Sequence, residues 1–180
     1  MPEPFRVRKC YLSMHPALKA DWERGDSLKA AILAKAAALS PDERRTAPKP
    51  SDWSALQTLS HLIIASRFVT GTAKTNGALP RAANPFVMWL LCTVMNAGVA
   101  LPAPEMMTPA PDANDTPLET FLTEWDAERD AFFALIDAAE SPDTLFGVHP
   151  FFGATTVLQT VQMSTAHLAY HLKRFPKSGG

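Results

Sequence analysis

A long proline-bearing interruption constrains this chain more than any other feature. Residues 78–115 carry Pro80, Pro85, Pro102, Pro104, Pro109 and Pro111 between two stretches whose apolar residues recur at helical spacing. Proline lacks a backbone donor and clashes with the preceding helical turn, so no long helix runs through this segment. A helix of about 20 residues spans some 30 Å, and a connection of this length reaches that far. The helices on either side can therefore start at the same end. With short links elsewhere, four helices would run up, down, down, up.

The first helical stretch extends from Pro16 to about Leu39. Leu18 and Trp22 are four apart, Leu28, Ile32, Lys35 and Leu39 follow at three or four, and Gly25 is a candidate break. Residues 40–52 read as a polar, proline-rich connection. The second helix should start at residue 55, because the side chains of Ser54 and Gln57 can satisfy each other's exposed backbone N–H groups. Leu56, Leu59 and Ile63 mark its apolar face, and Gly71 with Gly77 signals its end. Thr116, Pro117 and Glu119 give the third helix a capping hydroxyl, a proline at the first helical position and a reciprocal glutamate. Phe121, Trp125, Phe132 and Ile136 share its apolar stripe, while Glu124, Asp126, Glu128, Arg129 and Asp130 fall on the solvated side. Residues 140–155 read as a loop, and Thr156 with Gln159 caps the fourth helix.

The expected fold is all-α, a four-helix bundle of up-down-down-up topology with a long crossover between the second and third helices. The bundle occupies residues 16–175, with an N-terminal arm at 1–15 and a C-terminal tail at 176–180. Within the crossover, the apolar run 86–101 is too short for a membrane span, which takes about 20 residues. It reads as a short packed helix, with pocket lining, a homodimer contact and plain core packing all open.

The sharpest chemical signal is in the fourth helix, where His167 and His171 stand four apart and so share a face, close enough to reach one ion. Leu168 stands where a zinc protease would carry its general-base glutamate, which excludes that reading. A third ligand follows from counting turns. His61 is two turns into the second helix and the pair is one to two turns from the end of the fourth, so antiparallel packing brings all three to one level. The alternative is that these are core histidines hydrogen-bonded to neighbours. Gln57 and Ser164, one turn before His61 and His167, are candidates to orient an imidazole, although Gln57 is equally explained by its cap. His149, before a proline in the loop, is a candidate for the pocket border, with a loop-anchoring role open beside it; His15 reads as structural.

Composition narrows the partner. A formal net charge of -1 provides no overall field for nucleic acid or an anionic membrane, which leaves a small-molecule substrate. Two cysteines without a paired motif and a polar N-terminus fit a reducing, cytoplasmic setting.

The segments WSALQTLSHL (53–62), HPFFG (149–153) and AHLAYHLKRF (166–175), in this order and spacing, resemble the DinB/YfiT-like superfamily over about residues 16–175, with HPFFG most similar to a less characterised branch. The resemblance implies a four-helix bundle with a long crossover and a histidine triad, with His61, His167 and His171 as metal ligands. Three neutral imidazoles leave a divalent ion open positions, as in catalytic sites; zinc suits them best, with nickel or iron next. Such an ion can activate water or bind a thiol as thiolate. Some members of the superfamily are thiol-dependent transferases or isomerases, so the resemblance implies metal-dependent chemistry on a small molecule with a low-molecular-weight thiol. A non-catalytic metal-binding or ligand-binding bundle is the alternative.

Overall fold

The computed structural model describes residues 14–73, 81–149 and 152–177. The expected arm, apart from its last two residues, and most of the expected tail lie outside them, as does Gly77. The described chain is mostly helical. Six α-helices and one two-stranded sheet follow in order: α1 (Pro16–Ala38), α2 (Pro41–Arg45), α3 (Ala55–Ala73), α4 (Pro85–Ala97), α5 (Leu118–Asp137), β1 (Leu145–His149), β2 (Gly153–Thr156) and α6 (Val157–Arg174).

α1 is continuous through Gly25. Its N-terminus is capped by His15, whose Nδ1 accepts the Ala17 N–H at 3.2 Å, with Pro16 at the first helical position. Gly25 serves as a point of close approach instead of a break: a Cβ there would meet Arg129 Nη2 at 3.0 Å and Thr165 Oγ1 at 3.2 Å. The connection that follows is also partly helical. Ser40 and Glu43 cap each other across the short α2, an arrangement hidden in a sequence dominated by polar residues and prolines.

α3 starts where its capping pair places it, with Ser54 and Gln57 exchanging two hydrogen bonds of 3.0 Å. It continues past Gly71 to Ala73. α6 opens in the same way on Thr156 and Gln159. The third long helix departs from expectation. α5 has no side-chain cap, because the helix starts at Leu118 and its cap position is held by Pro117, which offers no side-chain acceptor; the Thr116 hydroxyl, one residue earlier, donates to the Asp112 carbonyl at 3.2 Å. The solvated side expected for α5 is also incomplete. Arg129 turns inward over the Trp22 ring, 3.3 Å from its centroid, and Glu128 is largely covered beneath Arg67 and Thr70.

The expected loop at 140–155 is an antiparallel hairpin pairing Val148 with Ala154 and His149 with Gly153. It is held from outside: the Ala83 N–H donates to the Ala154 carbonyl at 2.6 Å and the Ala154 N–H to the Arg81 carbonyl at 3.1 Å. Gly153 adopts φ 88°, and a Cβ there would stand 2.3 Å from the Arg81 carbonyl oxygen, so only glycine fits.

Packing joins the elements around two main clusters. Ile32, Leu59, Leu62, Phe121, Trp125 and Leu168 form one, and Leu18, Trp22, Phe132, Ile136, Val157 and Val161 the other. Each fully buried aliphatic side chain contributes about 1.5–3 kcal/mol of apolar transfer. α4 packs its Met88, Leu91 and Cys92 side against Met163 of α6, while Phe86, Trp89 and Leu90 face outward. The 86–101 run is therefore a short packed helix as far as Ala97, with one exposed apolar face, and leaves the helix at Gly98. No described helix is long and apolar enough to cross a membrane.

Candidate metal centre

The start of α3 meets the end of α6, and three histidines converge there. His61 Nε2 and His171 Nε2 each lie 3.0 Å from His167 Nε2. The ligand nitrogens of all three fall within 4.8 Å of one another. Metal–imidazole bonds of about 2.0–2.1 Å place adjacent ligand nitrogens about 3.0–3.4 Å apart, and the separations of His61 and His171 from His167 match that spacing.

The protonation state follows from the surroundings. His61 Nδ1 is 2.5 Å from the Met107 carbonyl, which can only accept, so Nδ1 carries the proton and donates it. A neutral His61 then presents a bare lone pair at Nε2, toward His167. Burial lowers the His61 pKa, with the Met107 bond working the other way. Burial drives His167 down to about 3, reinforced by His61 and His149, and holds His171 well below its ordinary value, reinforced by His167, His61 and Arg174. All three rings are thus neutral near pH 7. A single proton on His167 Nε2 cannot satisfy both neighbouring nitrogens at 3.0 Å. A cation between the three nitrogens would meet every lone pair at once.

Aromatic rings hold the cluster. Trp53 packs against His61 with centroids 4.7 Å apart and lies parallel to His171 at 6.2 Å, while Tyr170 meets His171 edge-on at 4.8 Å. The histidines open onto a cavity of about 760 Å3, whose wall mixes apolar side chains such as Leu62, Phe68 and Met163 with charged ones such as Lys29, Glu128 and Arg174. That volume suits a small organic molecule.

His149, at the end of β1, lines this cavity and stacks on Phe152 at 4.6 Å; burial pushes its pKa down to about 4. Ser164 also lines the cavity. Gln57 is engaged elsewhere, since its side-chain oxygen accepts the Ser54 N–H of the helix cap. The partner found for His61 is the Met107 carbonyl, which sequence reasoning missed: a backbone acceptor leaves no side-chain signature. Trp53 and Tyr170 carry no signal of their own in the sequence, since only the fold brings their rings against the histidines.

A mostly helical protein with a largely buried three-histidine cluster on the wall of a cavity is the class defined so far. Residues 26–174 match the DinB superfamily, and the chain belongs to that family. Comparison with curated proteins and with solved structures gave no match.

Proposed function

We propose that the protein is a divalent-metal-dependent enzyme acting on a small molecule, with His61, His167 and His171 as the ligands. The observation that carries this reading is the meeting of three neutral imidazole nitrogens, two separations of 3.0 Å, with the His61 tautomer fixed by the Met107 carbonyl. Zinc is the first candidate, followed by nickel and iron. When bound, the ion would supply a Lewis acid with open positions, able to lower the pKa of a coordinating thiol or water.

The chain's own residues do the remainder. The cavity would hold the substrate, with Leu62, Phe68 and Met163 against its apolar part, and His149, neutral on the wall, offers a hydrogen-bonding group beside the cluster. Thiol-dependent transfer or isomerisation is the reaction class we favour, because residues 26–174 belong to a superfamily that the resemblance credits with some members of that kind. The same contacts support reading the four long helices as up, down, down, up. Trp22 of α1 packs with Val157 and Val161 of α6, Arg67 of α3 pairs with Glu124 and Glu128 of α5, and α3 begins where α6 ends.

Elemental analysis of the purified protein tests the metal site: about one divalent ion per chain is expected, and its loss in His167→Ala. Conjugation of an electrophile with glutathione, bacillithiol or mycothiol tests the reaction. Metal bound without metal-dependent turnover of any of these would favour a non-catalytic binding bundle.

A further inference from the structure

Beside the hydrogen bonds that Asn114 takes from Arg45 and Ser54, the crossover between α4 and α5 is fastened at three backbone groups to residues in or next to the histidine cluster. The Leu101 N–H donates to the Tyr170 hydroxyl at 3.3 Å, the Met107 carbonyl accepts from His61 Nδ1 at 2.5 Å, and the Ala110 N–H donates to Ser60 Oγ at 3.0 Å. Ser60 directly precedes His61, and Tyr170 directly precedes His171. Between the outer fastenings the chain is stiffened by Pro102, Pro104 and a 3-10 turn over Glu105–Met107, in which the Met107 N–H donates to the Pro104 carbonyl at 2.9 Å.

We propose that Ser60 and Tyr170 are positioning residues of the metal site and act through this strap. They fix the Met107 carbonyl, which fixes the His61 tautomer and so sets the affinity of the triad for its ion. The proposal rests on the reading that the triad holds a metal. A free imidazole divides its proton between two nitrogens, and only the form protonated at Nδ1 offers Nε2 to an ion. A carbonyl held against Nδ1 selects that form before the ion arrives and makes Nε2 more basic. The coupling is reciprocal. An ion on Nε2 keeps the proton on Nδ1 and thereby strengthens the bond that holds the strap. Leu101, Pro102, Pro104 and Met107 line the cavity, so metal occupancy would also order one of its walls.

The experiment uses the full chain stripped by a chelator, titrated with Zn2+ against a chromophoric competitor, with amide hydrogen exchange followed over residues 99–110. Ser60→Ala and Tyr170→Phe should each weaken zinc binding about 3- to 10-fold, below the roughly 10–100-fold seen when a ligand loses its direct hydrogen-bond partner. Ser60→Thr, which keeps the acceptor oxygen, should restore the affinity. In the wild type, zinc should slow exchange of the Leu101 and Ala110 amides. Equal zinc affinity in wild type and both variants would overturn the proposal while leaving the metal site standing, as would strap exchange indifferent to zinc. A wild type that takes up no zinc, nickel or iron would remove the metal reading and this proposal with it. Where Ser60→Ala fails to fold, Tyr170→Phe carries the test, since it removes one oxygen and keeps the ring against His171.

Discussion

His61 Nε2 and His167 Nε2 lie 3.0 Å apart although the residues are 106 positions apart in the chain. Neither helix alone explains this contact; it needs the start of α3 at the end of α6. Replacing either histidine with alanine should therefore lower metal affinity by more than the roughly 10–100-fold typical of losing an outer partner. The measurement is ion content after dialysis together with competition titration. Because a neutral ring is removed, the metal-free variants should keep wild-type helical circular dichroism. Full metal retention in His61→Ala would remove that residue from the site.

The metal-free protein should lose stability as pH falls below about 6.5, the ordinary histidine value. His167 is pushed down to about 3 and His149 to about 4, so between these values and 6.5 the unfolded chain binds protons that the folded one does not. The slope is then positive with pH: stability is complete above about 6.5 and falls as pH drops toward the folded values. Each such histidine contributes at most about 1.4 kcal/mol per pH unit in that window. Urea midpoints at pH 7.5 and 5.5 in chelator check this, and His149→Gln should flatten the dependence. A midpoint unchanged or higher at pH 5.5 would contradict the assignment.

The triad was readable in advance because two signals reinforced each other. The four-residue spacing put His167 and His171 on one face, and the Ser54–Gln57 and Thr156–Gln159 caps fixed the helix starts from which the depth of His61 could be counted. The capping logic missed where a local turn shifted the helix start by one residue: after the 3-10 turn at Ala113–Asp115, Pro117 and not Thr116 takes the cap position of α5, and the turn carries no strong sequence mark. The hairpin was illegible for a related reason. Its strands have five and four residues, and it is held by the bridge from Ala82 to Ala154, a contact made across the fold. Arg129 looked solvated from periodicity alone. Only Gly25, by leaving room on α1, admits it to the interior.

Gly153→Ala should be among the most damaging small substitutions. The residue combines φ 88° with an Arg81 carbonyl oxygen 2.3 Å from where a Cβ would stand, so the Ala82–Ala154 bridge would have to open. A cost of about 2–4 kcal/mol is expected from strain and the lost bridge. Gly98→Ala is the control: it shares a positive φ, but its nearest neighbour is the flexible Lys173 side chain at 3.3 Å. That change should cost only about 1 kcal/mol. Equal denaturant midpoints for the two variants would show that the clash with Arg81 is relieved without loss.

Arg129 should matter more to stability than its place in a run of charged residues suggests. Its Nε donates to Asp26 at 2.7 Å and its Nη2 to the Trp22 carbonyl at 3.0 Å, while the guanidinium lies 3.3 Å from the Trp22 ring centroid. The pair is partly exposed, with 15% and 27% of the two side chains accessible, so the cost of breaking it falls below that of a sealed ion pair. Arg129→Ala should destabilise by about 2–3 kcal/mol, since it removes the ion pair, the backbone bond and the ring contact together. Asp26→Asn keeps an acceptor and leaves the ring contact in place, so about 1 kcal/mol is expected. The double variant separates the terms: a cost well below the sum of the two singles would show that Asp26 acts mainly through Arg129, whereas strict additivity in denaturant titration would show that the two side chains stabilise the helix pair independently.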